Sequence, residues 1–191
     1  MCISWTAIVR RFDGSGDYNR SWDEYKHGFG DASGEYWLGN EYLHYLTSSR
    51  AYKLRFDMED WDGNTAYAEY STFRVTSEAD NYRLLLGGYS GTASANQAAD
   101  ASLGFLYQNN TQFSTYDRDN DGNPLESCIN RLWFGSLGGF WYNDCAKVYV
   151  TNNVCQCGVG TCSCVSNGNI WVSWLGTDQS LKKVQMMFRP I

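Results

Sequence analysis

The chain has only two histidines in 191 residues, His27 and His44, and they lie well apart. They offer no nucleophile–base pair, and no motif selects two carboxylates for glycoside chemistry, so an enzyme is not expected. Positive charge is also sparse: 15 Lys and Arg stand against 21 Asp and Glu, for a formal charge of -6. Nucleic acid and anionic membrane both need clustered cations, so neither is an expected partner. No apolar run reaches a bilayer-spanning length, which excludes membrane insertion. "MCISWTAIVRR" has no signal-peptide hydrophobic region, so the chain reads as a mature fragment whose first residues are a cut edge. Its length suits one domain with a real core, or one domain with a loop-rich lobe attached.

Cysteine, by contrast, is plentiful. Four of the seven crowd into "CQCGVGTCSC", as Cys155, Cys157, Cys162 and Cys164. Two Cys-x-Cys pairs four residues apart make too short a loop for the usual structural zinc spacings, and both histidines are distant in sequence. Local disulfides in an oxidising compartment fit better. The sequons at Asn19 (Asn-Arg-Ser) and Asn109 (Asn-Asn-Thr) agree with secretion. Cys2 is the odd cysteine.

The first half reads as strands with short helices. "WTAIVRRF" opens a strand. In "YKLRFDM" the residues Tyr52, Leu54, Phe56 and Met58 alternate with Lys53, Arg55 and Asp57, so one face is buried. "DWDGNT" supplies a turn with Asp62-Gly63 and "AYAEYSTFRV" returns, a hairpin signature; "NYRLLLGGY" reads as the next strand. Two short helices are expected. In one, Ser21 caps, Trp22, Tyr25 and Phe29 share a face and Gly28 stops the turn; in "GNEYLHYLTSS", Leu43 and Leu46 pack. From about residue 111 Gly, Asn, Asp, Cys and Trp dominate and alternation disappears. "SLKKVQMMFRP" alternates again, with Val184, Met186 and Phe188 on one side, so the chain is expected to end as a strand back in the first sheet.

"YDRDNDGNPLESC" begins as a calcium-binding EF-hand loop does. Counted from Asp117, however, the twelfth position, which must be a bidentate Glu, is Cys128. Pro124 lies inside the loop, and neither "NNTQFST" nor "GSLGGFW" has a helical apolar period. Calcium here requires another scaffold, although three crowded carboxylates repel one another unless a cation offsets them.

The series "RRFDGSGDYNRSWDEYKHGFG", "GEYWLGNEYLHYLT", "LRFDMEDWDGNTAYAEYSTFRV", "EADNYRLLLGGYSGTA", "FSTYDRDND" and "SLKKVQMMFRP" resembles, in order and over nearly the whole chain, the signatures of the fibrinogen-related domain. That family includes fibrinogen chains, ficolins, tachylectins, angiopoietins and tenascins. The resemblance implies an α+β fold: a twisted, mostly antiparallel sheet with short helices, plus an irregular lobe stabilised by a disulfide and calcium. It implies a single domain over 1–191, with about 1–110 and 181–191 forming the central sheet and about 111–180 forming the calcium- and ligand-binding lobe. The family's small N-terminal subdomain is missing, which leaves Cys2 without its usual mate. The family's second disulfide corresponds to Cys128 with Cys145.

Carried over by the same resemblance, calcium is held by Asp119 and Asp121 with the backbone carbonyls of Asn123 and Leu125, and Gly122 lets the loop turn. In ficolin-like lectins a pocket beside this lobe surrounds a Trp-Tyr-x-x-Cys-His segment with a cis peptide before the cysteine. Here the segment is "FWYNDCAK": Tyr142, Asp144 and Cys145 match, and Ala146 replaces the histidine. The other wall falls near Val165 and Asn167. Trp141 reads as a filler of the lobe, Tyr142 as either filler or ligand contact, and His27 and His44 as structural. The implied function is a secreted, calcium-dependent pattern-recognition lectin of innate immunity that binds microbial cell-wall glycans, of peptidoglycan type or acetylated. Weak single-site affinity would be multiplied by an oligomer assembled through other segments. The alternative is a protein- or receptor-binding module using the same lobe.

Overall fold

In the computed structural model the described residues are 4–130, 137–154 and 168–191. Their strands are β1 (Thr6–Arg11), β2 (Phe29–Gly30), β3 (Tyr36–Trp37), β4 (Tyr52–Glu59), β5 (Thr65–Val75), β6 (Leu84–Gly91), β7 (Phe113–Ser114), β8 (Phe140–Trp141), β9 (Val148–Tyr149), β10 (Ile170–Trp171) and β11 (Lys183–Pro190). Four α-helices accompany them: α1 (Trp22–His27), α2 (Asn40–Ser49), α3 (Gln97–Leu103) and α4 (Val172–Leu175). Seven strands form one sheet in the order β2-β3-β1-β11-β4-β5-β6, every pairing antiparallel. The last strand therefore inserts between the first and the fourth, with Val184 opposite both Arg11 and Met58.

The alternation in β4 sets the two faces of the sheet. Tyr52, Leu54, Phe56 and Met58 are buried, while Lys53, Arg55, Asp57 and Glu59 face outward. The outward side chains pair across strands, as in Lys53–Glu69 at 2.5 Å and Lys183–Glu59 at 2.9 Å. In the β4–β5 hairpin the organising residue is Asp60, whose Oδ1 accepts from the N–H groups of Asp62 and Asn64. Gly63 takes the left-handed φ of 86° that the turn needs.

On the buried side the core is aromatic and continues into the lobe. Phe56 meets Phe105 at 5.1 Å and Trp171 at 5.0 Å, and Phe105 stacks on Phe140 at 5.6 Å, separations at which ring pairs attract. These contacts fasten β8 and β10 to the sheet.

Helix α1 starts as expected: Ser21 and Glu24 form a capping box that satisfies two otherwise orphaned donors. Trp22 and Tyr25 are its buried residues, and Gly28 ends it with φ 89°. A Cβ at Gly28 would stand 2.5 Å from the Leu38 carbonyl oxygen, so both conformation and space demand glycine. Phe29 lies past that stop and begins β2, yet it still packs on Tyr25 at 5.0 Å. In α2, Leu43 is buried and Leu46 half-buried. His44 contacts the Val75 carbonyl through Nδ1, joining α2 to β5.

Candidate functional site

The acidic loop leaves β7 and is tied down before its carboxylates are reached. Asp117 is engaged with α1 and the loop's own start: its Oδ1 accepts from the Trp22 N–H at 2.9 Å and the Thr115 hydroxyl at 2.7 Å. Arg118 lies over the Trp22 ring at 4.0 Å and donates to Asn81 Oδ1 at 2.7 Å. Three crowded carboxylates were expected; two remain together, because Asp117 is engaged at the start of α1. Among the described residues there is no group of three or more His, Cys, Asp or Glu side chains placed to hold a metal.

Asp119 and Asp121 form the remaining pair. Asp119 Oδ1 accepts from the Asp121 N–H at 3.2 Å. Asp121 Oδ1 accepts from the Asn123 N–H at 2.8 Å, and its Oδ2 from the Cys128 N–H at 2.7 Å. Burial pushes the Asp121 carboxyl above the ordinary value, those two N–H groups oppose the shift, and the charge of Asp119 adds to it. Asn123 Oδ1 accepts from the Leu125 N–H at 2.9 Å, closing the next turn. The carbonyls of Asn123 and Leu125 accept no backbone hydrogen bond from any described residue. Two carboxylates and two carbonyls on one curved loop are a hard oxygen set that suits calcium, with water completing its six to eight ligands. Gly122 serves this loop by closeness: a Cβ there would sit 2.8 Å from Asn143 Oδ1, while its N–H donates to the Asn143 carbonyl at 3.0 Å.

Cys128 and Cys145 are disulfide-bonded, with Cα atoms 5.5 Å apart. The bond joins the acidic loop to "FWYNDCAK". All described peptide bonds are trans, including the one before Cys145, where the resemblance implied a cis bond. The Asn143 N–H donates to the Cys145 carbonyl and holds this corner. Trp141 is a core residue whose Nε1 donates to the Tyr82 carbonyl at 2.8 Å. Tyr142 is buried as well, and its hydroxyl donates to the Gly138 carbonyl at 2.6 Å, which places it beneath the lobe surface. Asp144 is exposed, and its carbonyl accepts from the Tyr107 hydroxyl at 2.9 Å. Ala146 is half-buried against the core. Val165, Asn167, Cys2 and the four-cysteine cluster lie outside the described residues.

Sequence reasoning did not single out two exposed side chains on the acidic loop. Leu125 is 91% exposed and Tyr116 45% exposed. Tyr116 sits between Thr115 and Asp117, and Leu125 between Pro124 and Glu126, so both read as turn residues. Elsewhere, a cavity of about 670 Å³ lies against the outward face of the sheet, with Arg55, Asp57, Glu59 and Lys183 in its lining. These four are paired with opposite charges, Arg55 with Asp57 and Lys183 with Glu59, so they leave little charge for a ligand. The lobe is the better candidate.

Residues 1–191 match the family model described as fibrinogen beta and gamma chains, C-terminal globular domain. Angiopoietin-related protein 7 of Mus musculus is 43% identical over 186 residues, covering 97% of this chain and 51% of that protein. Angiopoietin-1 of Sus scrofa is 40% identical over 187 residues, covering 98% of this chain and 35% of the relative. The chain thus spans about half the length, or less, of these curated relatives. Among solved structures, the fibrinogen-like globe domain of human ANGPTL2 is similar at TM-score 0.84 and 41% identity, over 97% of this chain and 80% of that one. A lamprey fibrin D-dimer complexed with the peptide ligand Gly-His-Arg-Pro-amide is similar at TM-score 0.82 and 34% identity, over 98% and 62%. These relatives overturn the expectation of an innate-immune lectin for microbial glycans and favour its protein-binding alternative. The sequence agrees with the correction, since Ala146 cannot supply the hydrogen bond that acetyl recognition requires of the histidine at that position. With its full length matched and its globe fold shared, the chain belongs to the fibrinogen C-terminal domain family.

Proposed function

We propose that this domain is a secreted, non-catalytic module that binds a protein or peptide partner through its disulfide-linked lobe, with calcium bracing the binding loop. The observation that carries the reading is Leu125: a nearly fully exposed apolar side chain, on a loop held at Asp121, Asn123 and Cys128. A lone exposed Leu is ordinary. One fixed on a rigid loop that also bears the exposed Tyr116 gives a partner a preorganised apolar contact at little ordering cost. The peptide complex of the lamprey relative supports the same use of the fold.

Calcium would be held by Asp119 and Asp121 with the carbonyls of Asn123 and Leu125. The ion would offset the repulsion between the two carboxylates and fix the backbone on either side of Leu125. Secretion is consistent with the Cys128–Cys145 bond, and no helix among the described residues is long and apolar enough to cross a membrane.

The test is a binding screen of the purified domain against a panel of extracellular receptor ectodomains and, in parallel, immobilised acetylated glycans, each with calcium and with a chelator. The reading expects calcium-dependent binding to at least one ectodomain. Binding to none, with or without calcium, would refute it.

A further inference from the structure

The two sequons are the sequence feature that the proposed function leaves unused, and the structure treats them differently. Both are exposed, but the Asn109 carboxamide is engaged: its Oδ1 accepts from the Leu86 N–H at 2.8 Å, at an edge position of β6. Asn19 is exposed, and no described residue hydrogen-bonds its carboxamide; only its backbone N–H is engaged, by Asp17 Oδ1 at 2.9 Å. Its neighbours hold it in place. Tyr18 is buried, its hydroxyl donating to the Tyr36 carbonyl at 2.9 Å with the Arg10 carbonyl also in reach at 3.2 Å, and Ser21 caps α1. Asn19 is therefore a free amide on a fixed surface turn, between an anchored tyrosine and a helix cap.

We infer that Asn19 is an N-glycosylation site. The reaction joins Asn19 Nδ2 to the anomeric carbon of the first sugar of a lipid-pyrophosphate-linked oligosaccharide, supplied in the secretory pathway. The C–N bond forms as the carbon–oxygen bond to pyrophosphate breaks; Nδ2 loses one proton, and the lipid pyrophosphate leaves with the electron pair. Arg20 occupies the middle position, where only proline is disallowed, and Ser21 supplies the required hydroxyl residue. Ser21 therefore has two uses at two times: sequon residue during synthesis, and N-cap of α1 after folding. The Trp22 N–H bonds Asp117 three residues on from Asn19, so the glycan would stand at the α1 end of the acidic lobe.

This inference rests on the proposed secretion of the domain. The experiment is expression of the full chain behind a cleavable secretory leader in eukaryotic cells. The secreted protein is then treated with peptide N-glycosidase in heavy-oxygen water, and peptides are mapped. Asn19 should be converted to an aspartate carrying heavy oxygen, with a mobility shift that Asn19→Gln removes. Ser21→Thr should keep the tag, and Asn109→Gln should leave the Asn19 tag unchanged. Ser21→Ala should lose the tag and also melt lower, whereas Asn19→Gln should lose it without loss of the α1 cap. An untagged Asn19 in secreted protein whose Cys128–Cys145 bond has formed would overturn the assignment. Protein that stays in the cell with both cysteines reduced would instead count against the secretion reading on which it rests.

Discussion

Replacing Asp121 with Asn probes the lobe most sharply, because the change keeps the volume and removes only a charge and an acceptor. Asp121 takes one N–H on each oxygen, from Asn123 at 2.8 Å and from Cys128 at 2.7 Å. The carboxamide keeps one acceptor and turns an NH₂ toward the other donor, a mismatch that costs about 1–3 kcal/mol without calcium. The calcium-dependent part is separate. Extracellular calcium modules bind with Kd of roughly 0.1–1 mM, so about 10 mM calcium would stabilise the wild-type domain by about 1.4–2.7 kcal/mol. At about 2–4 °C per kcal/mol for a chain of this size, the melting temperature should rise by about 3–11 °C. With a chelator this mismatch is offset by relief of the Asp119 repulsion and of the buried charge, so Asp121→Asn should melt near wild type, and it should gain almost nothing from calcium. Differential scanning calorimetry at matched ionic strength reads both effects. A wild-type midpoint that calcium does not move, or an Asp121→Asn protein that responds as fully as wild type, would refute the assignment of Asp121 as a ligand.

Three further outcomes follow from the same geometry. Glu35 is fully buried; its Oε1 accepts from the N–H groups of Phe12, Asp13 and Gly14, and its Oε2 accepts from Gly16 and faces buried Arg11 at 3.3 Å. Glu35→Gln leaves Arg11 without its counter-charge and should cost about 3–5 kcal/mol in urea unfolding, with a loss under about 1 kcal/mol telling against the account. Replacing Cys128 and Cys145 together by serine opens a loop with a sequence separation of 17 and should cost about 3 kcal/mol in the same assay, while the sheet signal persists. Asp100 is buried, accepts from Tyr70, Ser94 and Leu106, and is pushed above its ordinary 3.8 by burial. A raised native value means that ionising Asp100 costs stability as pH climbs from 3.8 through that value. The difference in unfolding free energy between wild type and Asp100→Asn should therefore change across that window, and a difference independent of pH would contradict it.

The sheet was legible because β4 alternates cleanly and β11 nearly so, with Met187 buried out of turn. Tyr52 to Met58 and Val184 to Phe188 bury the side chains their period marks, and the closing strand returns to the sheet as expected. Helix α3 was missed, since "QAADASL" buries only Asp100 and so carries no apolar period. Its start was still written locally, in the Asn96 side chain that caps Ala99. Phe29 has helical spacing from Tyr25, but Gly28 intervenes with a positive φ and the phenyl ring reaches the same cluster from β2.

The lobe shows the limit of a motif more clearly. The Cys128–Cys145 pairing came through the family resemblance and is present. The pattern of aspartates could not tell which of them stay together, because one of the two partners of Asp117 is Trp22, 95 positions earlier in the chain. Tyr142 likewise matches a pocket motif in sequence, and only the fold shows it buried under Gly138. Ala146 was the residue that already spoke against acetyl recognition, and the relatives carry that correction through.

The central claim is that the exposed tip of the acidic loop meets a protein partner. Its most direct test is the affinity of wild-type and Leu125→Asp domains for an ectodomain recovered in the screen, measured in calcium by surface plasmon resonance. Leu125 is 91% exposed, so the substitution should leave stability within about 0.5 kcal/mol of wild type. Burying a carboxylate at the contact should weaken binding by at least about tenfold, or about 1.4 kcal/mol. Equal affinity for the two proteins would place the binding surface elsewhere and contradict the account.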